Sequence, residues 1–275
     1  MSAFKGQTWW IVGASEGLGR AMAEALDEAG ARLILSARNA TRLDVLAARL
    51  SDAKSLPLDV TDAASVADAT QALGSIDGII YCAGAYDPLT AQEWRPDAVE
   101  TMCEVNFMGA IRVLGRIVPE FSKRDRGHIV LIGSLAGFTG LPGAIGYGAS
   151  EAALRPLGEN LQADLRGTGV QVQVINPGFI RTRLTDKDQF KMPQILEPQD
   201  AAKRCLSAMR GGRFSTSFPA PFSWGLYHRP PFAAASVSQT DVKAAHVRRA
   251  FPERGGYLLR QRRYWLRVGA PLCGL

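Results

Sequence analysis

An α/β fold built on a doubly wound parallel sheet, with helices on both faces, is what this 275-residue sequence predicts. Three observations predict it. Short apolar runs recur through the first 180 residues without clean alternation, as strands buried on both faces require. Each run leads into a stretch with helical spacing, the pattern of a parallel sheet with crossover helices. Glycines and polar residues collect where strand hands over to helix, and such sheets bind ligands beyond those carboxyl ends.

The elements follow in order. "TWWIVGAS" is a first strand ending in glycine, and "EGLGRAMAEALDEAG" a helix carrying Leu18, Met22, Ala25 and Leu26 on one face and stopping at Gly30. "RLILSAR" and "ATRLDVLAARL" give the second strand and helix. "SLPLDVTD" reads as the third strand, with Asp62 as the cap of a helix over "AASVADATQAL". "IDGIIYCAG", "GHIVLIGS" and "VQVQVINPG" supply further strands, separated by helices around Met102–Phe121 and Ala149–Arg166. Another amphipathic helix is expected from about Pro198 to Met209.

Composition narrows the function classes. Apolar residues make up 47% and charged residues 21%, ordinary for a globular protein. The net charge of +6 belongs to one end: nine Lys/Arg against two acids follow Gly225, leaving residues 1–224 close to neutral. That distribution argues against nucleic-acid binding. Cys82, Cys103, Cys205 and Cys273 lack disulfide or metal spacing, and His128, His228 and His246 are dispersed, so neither a disulfide framework nor a metal site is expected. "MSAFKGQTWWIVGAS" shows no signal peptide and no run reaches transmembrane length, which points to the cytoplasm.

"GASEGLG" joins the first strand to the first helix. Gly13, Gly17 and Gly19 allow a tight turn and let backbone N–H groups approach a pyrophosphate, with the helix dipole behind them. Ser15, Glu16 and Leu18 complete this cofactor-binding turn. The spacing Gly-x-x-x-Gly-x-Gly differs from the commoner dinucleotide fingerprint. With Asp59, "CAG" at Cys82–Gly84, Asn106, Ser134, Tyr147 and "PGFIRT" at Pro177–Thr182, it resembles the short-chain dehydrogenase/reductase family over roughly residues 6–215.

The resemblance implies a Rossmann-like domain over residues 1–224 and hydride transfer between a nicotinamide cofactor and a small carbonyl/alcohol substrate. It implies that Asp59 and Val60 border the adenine, with Ala83 and Gly84 in the same cofactor site. Asn106 would kink a helix and hold a water, Ser134 bind the substrate carbonyl, and Tyr147 move the proton. Pro177, Gly178 and Thr182 would contact the nicotinamide end. A homodimer or homotetramer is implied as well. "YCAG" stands where the family has two amides, which predicts some loosening of the fourth strand at Tyr81 and Cys82.

The second strand ends in "LSARNATRL" with no acid to hold a ribose 2′-hydroxyl. Arg38 offers a planar fork for a 2′-phosphate, with Ser36 and Asn39 as added hydrogen-bond partners, so NADP rather than NAD is expected. Glu16 is the objection, since NADP-preferring relatives carry a base in that turn.

Tyr147 has the wrong neighbour. The resemblance implies a lysine four residues on, lowering the phenol's pKa and binding the nicotinamide ribose. Here that position is Glu151. At ~5 Å and an effective dielectric of ~20, a unit charge is worth roughly 3 kcal/mol, so reversing its sign shifts the balance by on the order of 6. That corresponds to about four pKa units as an upper bound. Alcohol oxidation should suffer more than carbonyl reduction, which needs the neutral phenol. Glu151 can still accept hydrogen bonds from ribose hydroxyls. Arg155, two turns on from Tyr147, is too distant to substitute for a lysine. The alternative is a catalytically inactive nucleotide-binding protein with a regulatory or assembly role.

After Thr182 a substrate loop is expected, with Phe190, Met192 and Ile195 as its apolar wall. Residues 225–275 lose the periodicity and gain arginine. Three readings fit that stretch: a flexible basic tail, a membrane-surface or partner-binding segment around Tyr257, Tyr264, Trp265 and Leu266, or translation in a shifted frame. Lysine and glutamate codons can differ by one base, so Glu151 and the tail can share an origin in gene decay.

Overall fold

In a computed structural model, residues 3–187, 192–221 and 223 are described. β1 (Thr8–Val12), α1 (Gly17–Glu28), β2 (Arg32–Ser36), α2 (Ala40–Ala47), β3 (Ala53–Ser55), α3 (Ala63–Ala72) and β4 (Gly78–Tyr81) form the first half. α4 (Pro96–Cys103), α5 (Gly109–Lys123), β5 (Gly127–Ile132), α6 (Ile145–Asp164), β6 (Val170–Pro177), α7 (Pro198–Gly211) and β7 (Ser215–Phe218) complete the described chain. All seven strands are parallel, in the order β3-β2-β1-β4-β5-β6-β7. The doubly wound sheet is therefore present.

Successive strand residues serve opposite faces even though the runs are apolar throughout. Trp9 and Ile11 pack with Leu18, Met22, Leu26 and the α7 residues Cys205, Leu206 and Met209. Trp10 and Val12 pack with Val113, Leu114 and Ile117 of α5 and Leu154 of α6. This two-residue alternation hidden inside an apolar run is what double burial produces. Fully burying one such Leu or Met contributes roughly 1.5–3 kcal/mol, so the two layers hold the sheet's carboxyl edge rigid.

The third strand differs from expectation. β3 is Ala53–Ser55, an edge strand paired only with β2, and "LPLDV" beyond it is loop with Leu58 and Val60 buried. Edge position explains its shortness and polarity. Asp62 caps α3 as expected, accepting from Ala64 N–H at 2.8 Å.

The fourth strand is not loosened. β4 is buried at every residue and pairs in register with both β1 and β5. The Tyr81 hydroxyl donates to the Val105 carbonyl at 2.5 Å, fastening the strand to the helix opposite. A phenol thus replaces the tie that an amide would make. Between α4 and α5, residues Glu104–Met108 form one wide π-helical turn carrying Asn106, which is the expected helix kink. The basic stretch 225–275 lies outside the described residues.

Candidate active site

A cavity of ≈ 760 Å³ runs along the carboxyl edge of the sheet. Its wall is drawn from the segments that follow β1, β2, β3, β4, β5 and β6, as the strand order around β1 and β4 dictates. Gly13, Ser15, Glu16, Gly17, Leu18, Gly19, Arg38, Asp59, Val60, Ala83 and Gly84 line one end. Ser134, Tyr147, Glu151, Pro177, Gly178 and Thr182 line the other. Of the residues expected at the site, Asn106, Ser36, Met192 and Ile195 are not on this wall, and the glycine-turn, adenine-side, nicotinamide-side and catalytic positions named above are.

The glycine end is shaped by close backbone approach. Gly13 has φ +97, and an added Cβ would stand 2.6 Å from the Ala83 nitrogen. A Cβ on Gly19 would collide with the Gly13 carbonyl. No side chain caps α1, so the first amides of that helix are left for a ligand. This is a cradle for an anionic group.

Glu16 is answered at this end rather than left to repel. Its carboxylate takes Arg183 Nε at 3.0 and 3.2 Å and Nη2 at 2.5 Å, and Arg42 Nη1 at 2.7 Å. The Arg183 hydrogen bond leads the causes that lower the Glu16 pKa, against partial burial. Arg38 is exposed on the rim and, among the described residues, holds no acid. Its two expected helpers differ. Ser36 is fully buried, accepting from Trp10 Nε1 at 2.8 Å and donating to the Leu56 carbonyl at 2.6 Å. Asn39 caps α2 through Arg42 N–H at 2.9 Å. β2 turns Ser36 toward the core and away from any phosphate, whereas Asn39 lines the cavity and its cap uses only Oδ1.

Asn106 stands behind the wall. Its Oδ1 accepts from Ala85 N–H at 2.7 Å, and its Nδ2 donates to the Ala85 carbonyl at 3.0 Å and to Ser150 Oγ at 2.9 Å. Ser150 Oγ in turn donates to the Tyr147 carbonyl at 2.9 Å. Both amide hydrogens are spent joining the loop after β4 to the helix that carries Tyr147.

Tyr147 and Glu151 are one turn apart on α6. The Tyr147 ring meets Tyr86 edge-on at 4.9 Å. Burial raises the Tyr147 pKa well above its ordinary value, Glu151 adds to the rise, and a hydrogen bond with Ser134 opposes it. Glu151 is only 7% exposed, and its Oε2 has no hydrogen-bond partner among the described residues. Burial pushes its pKa up to about 8. At neutral pH this carboxyl is therefore mostly protonated. The charged form expected beside the phenol is disfavoured, because the side chain is withdrawn from water with no cation among the described residues to hold its charge. Arg155 pairs with Glu159 at 2.8 Å and lies over the Phe138 ring.

Known proteins identify the family of this fold. The family model described as short chain dehydrogenase matches residues 7–192. An uncharacterized oxidoreductase of Myxococcus xanthus is 35% identical over 227 residues, covering 80% of this chain and 90% of the relative. The chain belongs to the short-chain dehydrogenase family. Among solved structures, a short-chain dehydrogenase from Sphingobium yanoikuyae in complex with NADPH aligns with TM-score 0.73 and 28% identity. It covers 78% of this chain and 89% of its own. A Burkholderia cenocepacia short chain dehydrogenase in complex with NADP aligns with TM-score 0.72 and 25% identity, covering 81% and 91%.

As a short-chain dehydrogenase, the protein has site residues that its sequence did not disclose. Tyr86, Leu141, Pro142 and Leu184 give the cavity its apolar lining. Of the wall expected from the substrate loop, Phe190 lies outside the described residues, and Met192 and Ile195 do not reach the cavity. The Glu16–Arg183 pair spans 167 positions, and no local pattern could announce it. Among the described residues, no helix is long and apolar enough to cross a membrane.

Proposed function

We propose that this chain is an NADP(H)-dependent oxidoreductase that works toward carbonyl reduction, at a rate limited by Glu151. One observation carries this reading: a buried carboxyl with an unpartnered oxygen stands one turn from Tyr147, where the family resemblance calls for an ammonium group. The cradle around Gly13 and the open amides of α1 fit the cofactor's pyrophosphate. Arg38, free of any acid among the described residues, fits a 2′-phosphate, and two of the aligned structures contain NADPH or NADP. When bound, the nicotinamide supplies or accepts the hydride.

The chain's own residues do the rest. Ser134 Oγ orients the substrate oxygen, and Tyr147 donates its hydroxyl proton to that oxygen. Its phenol is neutral, the form this step requires. The developing phenolate meets a neutral carboxyl instead of an ammonium. The missing charge is worth roughly 3 kcal/mol at ~5 Å and an effective dielectric of ~20, about a hundredfold in rate. That is half the penalty a carboxylate would impose. The apolar lining suits an apolar ketone or aldehyde, and family analogy favours a homodimer or homotetramer acting in the cytoplasm.

Titration with NADPH and NADH, followed by a carbonyl panel, tests the reading on this protein and on Glu151→Lys. NADPH binding, slow reduction, and about a hundredfold acceleration in the variant are expected. Cofactor binding without turnover in either protein would favour the second reading, a nucleotide-binding protein without catalysis, which the missing ammonium at position 151 also accommodates.

A further inference from the structure

Glu151 lines the cavity together with Ser134, Pro177 and Gly178, and its Oε2 has no hydrogen-bond partner among the described residues. Its Oε2 lies over Gly133, where an added Cβ would stand 3.8 Å away. A side chain so placed, buried and unpartnered, is available to whatever enters that end. On the cofactor reading above, the entrant is a nicotinamide. Its oxidised ring carries a positive charge and its reduced ring carries none. An ammonium at position 151 would disfavour the oxidised ring by repulsion; a carboxyl does the reverse once it ionises.

We propose that Glu151 makes this site discriminate between the two redox states of its cofactor, holding the oxidised form more tightly than the reduced form. The inference rests on the nicotinamide reading and deepens it. The preference is linked to protons. A neutral Glu151 feels little difference between the two rings, whereas an ionised one attracts the cationic ring alone. Binding of the oxidised form therefore favours ionisation and releases a proton. A site biased this way makes the reduced cofactor a stronger hydride donor, in keeping with a reductive direction.

The surroundings leave this titration to Glu151. Tyr147 on its own helix and Tyr81 at the end of β4 are raised by burial above their ordinary values, and Cys82 is pushed up to about 12. All three stay protonated between pH 6 and 9. Gly133 at the end of β5, Ser134 beyond it and Asn176 on β6 bring no charge. Arg155 on α6 pairs with Glu159, and Arg112 on α5 with Glu104 at 2.7 Å. Burial is the cause of the Glu151 shift, with no charged neighbour contributing.

Calorimetric titration of the full chain with NADP+ and with NADPH, at pH 6 and pH 9, tests the proposal. Both forms carry the same phosphates and riboses, so titration of those groups cancels in the ratio of dissociation constants. The ratio should move toward the oxidised form by about tenfold or more between the two pH values. Near pH 7, NADP+ binding should release protons in amounts that the buffer's ionisation heat reveals. Glu151→Gln should flatten the ratio, and should that variant fail to fold, the proton release of the unaltered chain still decides. A ratio unchanged within twofold while both forms bind, or a pH dependence that survives in Glu151→Gln, would overturn the inference and leave the cofactor reading standing. Failure of both forms to bind at either pH would overturn the cofactor reading and this inference with it.

Discussion

Two glutamates line one cavity and live in opposite conditions. Glu16, at the glycine turn, is part-exposed and gripped by Arg183 and Arg42, and its pKa is lowered. Glu151, at the Tyr147 end, is enclosed with an unpartnered oxygen, and its pKa is raised to about 8. The same side chain is thus an anion at one end and a mostly neutral acid at the other. The lesson is that a carboxyl's sign of influence depends on whether the fold delivers a cation to it, which its position in a motif does not reveal. Glu16 stands where it ought to impede a phosphate and is neutralised by arginines. Glu151 stands where it ought to cripple a phenol and is neutralised by a proton.

The comparison is most exposed to a stability measurement. The folded state holds the Glu151 proton up to about pH 8, while the unfolded chain releases it near 4.5. Its stabilising contribution is therefore full below 4.5 and drains away as pH rises to 8, at about 1.4 kcal/mol per pH unit and on the order of 5 kcal/mol in all. Chemical denaturation from pH 5 to 8 should show this decline, and Glu151→Gln should remove most of it. A flat profile in the unaltered chain would mean that Glu151 is as well satisfied as Glu16.

Next in size is the rate. Glu151→Lys should raise carbonyl reduction about a hundredfold at pH 7, roughly 3 kcal/mol, measured as kcat/KM under saturating NADPH. In the unaltered chain, reduction should also weaken as pH climbs past 8, where Glu151 ionises beside the phenol. Equal activity at pH 7 and 9 would place the titrating group elsewhere.

A third prediction concerns the other end of the cavity. Arg38→Asp should weaken NADPH binding by about 1.5–3 kcal/mol, tenfold to somewhat over a hundredfold, and spare NADH, as direct titrations would report. Unchanged relative affinities would remove Arg38 from the phosphate's neighbourhood. Glu16→Gln is the smallest. Its ion pairs are part-exposed and screened, so the variant should lose no more than about 1 kcal/mol near neutrality. Because the Glu16 pKa is lowered, that contribution belongs to neutral pH and is lost in acid, the reverse of the Glu151 profile.

How much of this was legible follows the range of the interactions involved. Strand β1, the glycine turn and the Asp62 cap are written in neighbouring residues and were read from them. The polar strand β7, "STSF", carries no apolar run and owes its place to β6 alone, so it passed unnoticed. β3 was placed too late because "LPLDV" is more apolar than the edge strand before it. At the site, the residues that shape the cavity were found from their order along the chain. The charge on Glu151 was not, since burial is the sum of what four distant segments bring around it. Arg42 and Arg183, which tame Glu16, lie 26 and 167 positions from it.

The wide turn at Glu104–Met108 has a consequence for the length of the chain. Each residue of a helix advances the azimuth by about 100°. The wide turn already absorbs one residue more than an α-turn holds, so inserting another there would swing α4 by about that angle about its axis while α5 stayed seated on the sheet. Ala98 and Met102, which pack with Leu89 against Tyr86 and Tyr147, would then point elsewhere, and the phenol would lose its floor. Such an insertion displaces the packing under the proton donor without substituting any residue of the cavity wall, so length here is under as tight a constraint as residue identity.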